Sequence, residues 1–142
     1  MTMRDTETLE KIIWSDDFSV GHEKLDQQHF KIVSFINELI DRPEIKTQSE
    51  ALDCIRQMLA YSVEHLEYEE KLLSENNYPD SVSHSVVHQF YVKKVENFLK
   101  MSFLNNNDFK FEVLDFLKEW WTYHILEEDM KYRPFLAEMK RG

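Results

Sequence analysis

The chain has little of what interrupts helices. Its 142 residues include two glycines and three prolines. That scarcity argues against a turn-rich β fold and favours long, unbroken helices. Cysteine is almost absent: Cys54 is the only one, so no intrachain disulfide can form and a thiolate-based metal site is not expected. Cys54 itself reads as a small apolar core residue. No stretch approaches the ~18 apolar residues of a membrane span, and the acidic start MTMRDTETLEKIIWSDD lacks the apolar segment of a signal peptide. A cytoplasmic location is therefore expected. Basic clusters are missing as well, and the formal charge is -10. Such a chain repels the phosphates of nucleic acid and the headgroups of an anionic membrane, so neither is expected as a partner.

What is present describes one soluble domain spanning residues 1–142, with 42% hydrophobic and 31% charged residues. Residues 1–20 read as an irregular arm in which Trp14 and Phe18 cover one end of the fold, and Gly21 marks a backbone turn. Apolar residues recur at helical spacing from Glu23 to Ile40, and Pro43 closes that segment. Thr47 with Glu50 is a capping-box signature for a second helix running to about Glu75. Asn76-Asn77-Tyr78-Pro79 breaks the pattern. Asp80 or Ser81 can cap a third helix reaching about Ser102. The polar loop 105–108 precedes a fourth helix from about Phe109 to Glu128. Pro134 limits further helix, leaving a short C-terminal turn through Phe135, Leu136 and Met139. Loops this short join antiparallel neighbours. The expected fold is all-α, an up-down-up-down antiparallel four-helix bundle with an N-terminal arm and a C-terminal helical turn.

Five of the six histidines join two carboxylates in a pattern spread over these four segments: His29; His65 with Glu69; His84 with His88; His124 with Asp129. A four-residue helical step returns to within roughly 40° of its starting direction, so His65–Glu69 and His84–His88 can each present two donors from one face. The five-residue step from His124 to Asp129 leaves its side chains about 140° apart on a regular helix. That pair works only if the carboxylate swings across or the helix loosens. Any one pair is ordinary on a helix surface. Burying all of them without metal would strand many ring nitrogens and two charges. Imidazole and carboxylate without thiolate suit iron, manganese, zinc or copper, and the donors exceed the four of a structural zinc site. Two ions sharing carboxylates fit the count better.

These residues resemble the motifs of the hemerythrins, most closely the single-domain bacterial forms, over nearly the whole chain. Trp14 to Gly21 with Leu25-Asp-Gln-Gln-His29, continued by Asn37 and Leu39, looks like the opening motif. His65 to Glu70, His84 to His88, and Trp120 to Asp129 look like the three that follow. The resemblance implies a non-haem di-iron centre: His84, His88 and His124 on one iron, His29 and His65 on the other, and Glu69, Asp129 and an oxo or hydroxo group as bridges. It implies dioxygen as the ligand, bound at the iron with two histidines in a pocket formed by Ile32, Leu66, Trp120, Trp121 and Ile125. Leu66 stands where the family often has phenylalanine and Trp121 where it often has leucine, so oxygen affinity or autoxidation is expected to differ from that of typical members. Tyr132 matches a family position that can shield the centre. His22 stands where the family usually has an apolar residue and reads as a surface or helix-start histidine outside the site.

No Glu-x-x-His pair of the ferritin-like di-iron enzymes occurs. The expected function is accordingly reversible dioxygen binding for storage, delivery or buffering, without enzymatic turnover. The alternatives are an oxygen- or redox-sensing module read by a protein partner, and a di-iron peroxidase or nitric oxide-handling enzyme.

Overall fold

The computed structural model describes residues 9–41, 48–100 and 109–141. Four helices form the bundle: α1, Glu23–Ile40; α2, Gln48–Glu75; α3, Ser81–Lys100; and α4, Phe109–Tyr123. The chain then passes through a π-helical turn, His124–Glu128, and a 3-10 turn, Asp129–Tyr132, into α5, Arg133–Arg141. No strand occurs among the described residues, and no described helix is long and apolar enough to cross a membrane. Thr47, Pro43 and the loop 105–108 lie outside the described residues.

The first two boundaries follow from local chemistry. Gly21 takes φ +78°, a region L side chains avoid. His22 is then the N-cap of α1, its Nδ1 accepting from the Leu25 backbone N–H at 3.3 Å. An imidazole thus does the work usually given to serine or aspartate. His22→Ala should cost about 1 kcal/mol of stability and His22→Asn much less. Chemical denaturation of the two variants checks this, and equal losses would contradict it.

Helix α2 ends in a Schellman motif. Asn77 adopts φ 61°, the Tyr78 N–H reaches the Leu73 carbonyl and the Asn77 N–H reaches that of Ser74. Tyr78 and Leu73 also share an apolar cluster, the contact that accompanies this cap. Asp80 sits at the head of α3, its carbonyl accepting from the His84 N–H at 2.9 Å.

The arm is tied down rather than loose. Asn37 accepts from the Ile12 N–H at 2.8 Å and donates to the Ile12 carbonyl at 2.9 Å. Asp26 holds the Ser19 hydroxyl and the Val20 N–H. Trp14 stacks on Phe18 and meets Phe30 edge-on, and residues Asp16–Phe18 form a single 3-10 turn.

Two apolar clusters fill the interior. The larger, around Ile32, Ile36, Met58, Leu66, Leu114, Leu117, Trp121 and Ile125, occupies the bundle. The smaller joins Val20, Leu25, Leu73, Tyr78, Tyr132 and Leu136 beneath α5. The C-terminal segment is longer than the sequence suggests. Pro134 lies in the first turn of α5, where its missing N–H has no helical partner to lose, so it starts a nine-residue helix instead of limiting one.

Candidate metal centre

All seven sequence-predicted donors converge in the interior between the two clusters. His29, His65, Glu69, His84, His88, His124 and Asp129 are each 5% exposed or less. Helix α1 supplies His29, α2 supplies His65 and Glu69 one turn apart, and α3 supplies His84 and His88. His124 opens the π-helical turn.

That turn answers the difficulty of the five-residue step. The Asp129 backbone N–H reaches the His124 carbonyl, an i to i+5 bond that widens the helix and swings Asp129 over His124. The Asp129 Oδ1 lies 3.0 Å from the His124 Nε2. Of the two possibilities open from the sequence, the loosened helix is the one found.

The two carboxylates divide their oxygens. Glu69 Oε1 faces His84 Nε2 at 2.5 Å and His88 Nε2 at 3.2 Å, while Asp129 Oδ1 faces His84 at 3.1 Å and His124. Glu69 Oε2 faces His29 Nε2 at 3.6 Å and His65 Nε2 at 3.4 Å, and Asp129 Oδ2 faces His29 at 3.1 Å. Three imidazoles thus surround one pair of carboxylate oxygens, and two imidazoles flank the other. Donor atoms in each of two groups, Glu69-His84-His88-His124-Asp129 and His29-His65-Glu69, lie close enough together to hold a metal ion.

Protein partners leave several of these atoms unsatisfied. Both ring nitrogens of His29, Nε2 of His65, Nδ1 of His124 and both oxygens of Asp129 are buried with no aligned hydrogen bond. The short distances between them lack hydrogen-bond geometry. Groups left this way in an apolar interior are costly, and cations at the two foci would engage His29 Nε2, His65 Nε2 and both Asp129 oxygens. The donors present fit such ions.

Surrounding residues fix the rings. Gln28 Oε1 sits 2.6 Å from His65 Nδ1, and an amide oxygen can only accept, so Nδ1 carries the proton and Nε2 points its lone pair inward. Glu70 Oε2, 3.2 Å from His88 Nδ1, does the same on the other side. Glu70 thus reaches from α2 to a ring on α3. No spacing rule links residues on different helices, so neither Gln28 nor Glu70 is legible as a partner beforehand.

The charges balance across the cluster. Burial would lower the His29 pKa, but the close carboxylates of Asp129 and Glu69 outweigh it and raise it to about 9. His84, under the same opposing influences, is raised to about 10, and His88 is raised by Glu69 and Glu70 against burial. His65 is lowered, with burial dominant. Burial would raise both carboxylates, yet the surrounding imidazoles hold Glu69 and Asp129 well below their ordinary range.

Tyr132 is fully buried and its hydroxyl donates to Glu69 Oε2 at 3.0 Å. Burial, then the charges of Asp129 and Glu69, push its pKa well up, so the phenol stays a donor. Tyr132→Phe should cost roughly 1.5–3 kcal/mol of stability, the usual worth of a hydrogen bond to a charged group. Thermal unfolding of the metal-free protein measures it, and an unchanged midpoint would mean that Glu69 does not need this donor.

The expected pocket residues divide between the two sides. Ile32, Leu66, Trp121 and Ile125 are buried together in the larger cluster, with Trp121 5.9 Å from His65 between ring centroids. Trp120 is half-buried and stacks on His124 at 4.3 Å. It therefore lies against the three-histidine side, away from the flank of His65 that Trp121 covers.

A helical bundle that buries five imidazoles around two shared carboxylates defines a class of cation-binding protein. A family model described as the hemerythrin HHE cation binding domain matches residues 20–136. The chain belongs to the hemerythrin family. It is 28% identical over 121 residues to a bacteriohemerythrin of Stenotrophomonas maltophilia, covering 85% of this chain and 78% of that one. It is 30% identical over 125 residues to a bacteriohemerythrin of Clostridium acetobutylicum, covering 84% and 97%. A hemerythrin-like protein of Naegleria fowleri shares 29% over 123 residues, covering 87% and 92%. Among solved structures, a leucine-to-tyrosine mutant of hemerythrin superposes with a TM-score of 0.75 at 24% identity, over 87% of this chain and 95% of that one. That likeness supports the four-helix bundle fold.

Proposed function

We propose that this chain, as a single hemerythrin-like domain over residues 1–142, binds dioxygen reversibly at a non-haem di-iron centre and serves in oxygen storage, delivery or buffering rather than catalysis. The observation that carries the reading is the unequal division of donors about Glu69 and Asp129. His84, His88 and His124 would hold one iron, and His29 and His65 the other. Glu69 and Asp129 would serve both, one oxygen each way. Ferrous ions bound there supply the electrons for reversible dioxygen binding.

The side with only His29 and His65 has fewer protein donors, which leaves room for a small ligand. Ile32, Leu66, Trp121 and Ile125 pack in one apolar cluster with Trp121 against His65, which would keep bulk water away from that region and so slow the loss of electrons. Gln28 holds His65 in the tautomer that ligates. Tyr132 orients Glu69 by donating to Oε2, and the imidazoles around that carboxylate keep it anionic against its burial. Among the seven donors two are carboxylates, a smaller share than in the Glu-x-x-His sites of di-iron enzymes, and a less anionic site stabilises high oxidation states less well.

The test is anaerobic loading with ferrous iron followed by cycles of oxygen exposure and removal, watched by visible absorption. Two irons per chain and a charge-transfer band that comes and goes are expected. A band that forms once and never reverses, or iron uptake well short of two, would reject the reading.

A further inference from the structure

Every donor of the centre is enclosed, so a carrier too large to enter the bundle cannot touch the ions directly. One route to the surface is nevertheless built in aromatic rings. The indole of Trp120 lies on the imidazole of His124 at 4.3 Å between centroids and 13° between planes. That is nearly parallel contact between a donor ring of the centre and a residue that is itself half-buried. Its neighbour Trp121 is fully enclosed and meets His124 edge-on at 6.0 Å, so it offers no comparable exit.

From Trp120 the rings continue inward to Tyr91, also at 4.3 Å. That branch is a dead end for charge. Tyr91 is fully buried, and its hydroxyl faces the Ser62 hydroxyl at 3.0 Å, which in turn donates to the Leu59 carbonyl. None of these groups can take up a phenolic proton. Beyond Tyr91 stand Phe116 and Phe98, which resist one-electron oxidation. Packing alone would account for an aromatic column in a bundle core. The four-residue step from Trp120 to His124 brings the two rings together, and what sets this contact apart is that it joins a donor ring to a partly exposed indole.

We propose that Trp120 is the electron conduit between the surface and the three-histidine side of the centre, accepting electrons from a small one-electron carrier with a positively charged docking face. The sign of that face follows from the chain's net charge of -10, which draws a cationic donor. The inference rests on the di-iron reading, because an oxygen carrier whose ions have become ferric must be reduced before it binds again. Each transfer oxidises one donor molecule by one electron and reduces one ferric ion to ferrous. Two transfers restore both ions. No bond in the protein forms or breaks, and Trp120 ends each transfer as it began.

The experiment follows reduction of the iron-loaded, fully ferric protein by loss of its visible absorbance, in wild type, W120F, W120L and W14F. Two reductants are compared. Hexaammineruthenium(II) is cationic, cannot bind to iron and stays outside the bundle. Dithionite supplies a small radical anion able to reach enclosed sites. In W120L, reduction by the ruthenium complex should slow about tenfold or more, while reduction by dithionite changes by less than about twofold. W120F, which keeps a ring on His124, should fall between W120L and wild type, and W14F should match wild type. Equal slowing with both reductants would assign Trp120 a structural role, and unchanged ruthenium kinetics would place the route elsewhere; either result overturns the proposal. If W120L does not load iron, the ordering of wild type and W120F decides. Failure of the wild type to take up iron or to cycle with oxygen would show itself before any reduction is measured, and would remove the di-iron reading and this inference together.

Discussion

Glu69→Ala will abolish stable iron loading at both foci, not at one. Glu69 places one oxygen toward His84 and His88 and the other toward His29 and His65, so its loss removes an anionic donor from each side. Loss of an outer partner to a ligand typically costs 10–100-fold in metal affinity; loss of a shared carboxylate should exceed about 100-fold for both ions. The isosteric Glu69→Gln keeps the volume and one acceptor oxygen but not the charge, which separates ligation from packing. Retained iron per chain after gel filtration against a chelator is the measurement, with circular dichroism to confirm that the helices persist. A variant still holding two irons tightly would show that Glu69 is not shared. Loss of one ion alone would show that the two sides are independent.

Metal loading will be strongly linked to protons. His29 at about 9 and His84 at about 10 are both protonated at neutral pH in the metal-free protein, and an imidazole must lose its proton to bind a metal. Loading between pH 7 and 8 should therefore release at least two protons per chain, one from each side, and the affinity for each ion should climb at least about tenfold per pH unit. The release should diminish as pH rises through 9 and 10. Titration calorimetry in buffers of different ionisation heat counts the protons directly, and a release near zero at pH 7.5 would contradict the charge pairing described above.

The same shifts fix the stability of the metal-free fold. Both folded-state values lie above the ordinary 6.5. Their stabilising contribution is thus complete below about pH 6.5 and is lost as pH rises through 9 to 10. Glu69 and Asp129 are depressed, so their contribution is present above the ordinary carboxylate values and is lost as pH falls through the folded ones. The metal-free protein should be most resistant to unfolding between these limits.

Much of this was legible in the sequence because the signals repeat. Helix spans for α1, α2 and α3 follow from apolar periodicity and from breaks at Gly21 and Asn77, and the structure places them within a few residues. His65–Glu69 and His84–His88 announce themselves by a four-residue step that any helix satisfies. The His124–Asp129 pair could be suspected but not built, since one extra residue in a turn has no compositional signature. Gln28 and Glu70 act on rings of other helices, and cross-helix pairing depends on how the bundle is assembled. His22 reads as a surface or helix-start histidine, and the structure places it at the start of α1; its capping bond was not legible because histidine is an uncommon cap. Pro134 looked like a stop because its effect depends on whether it falls in the first turn or later.

The widened turn at His124–Glu128 also limits how portable the centre is. Grafting the four ligand motifs onto a scaffold of straight, idealised helices would position the first six donors and leave the seventh facing the wrong way. Anyone transplanting this chemistry must carry over the irregular stretch through Tyr132 as a unit, because the defect in the helix is itself part of the binding geometry.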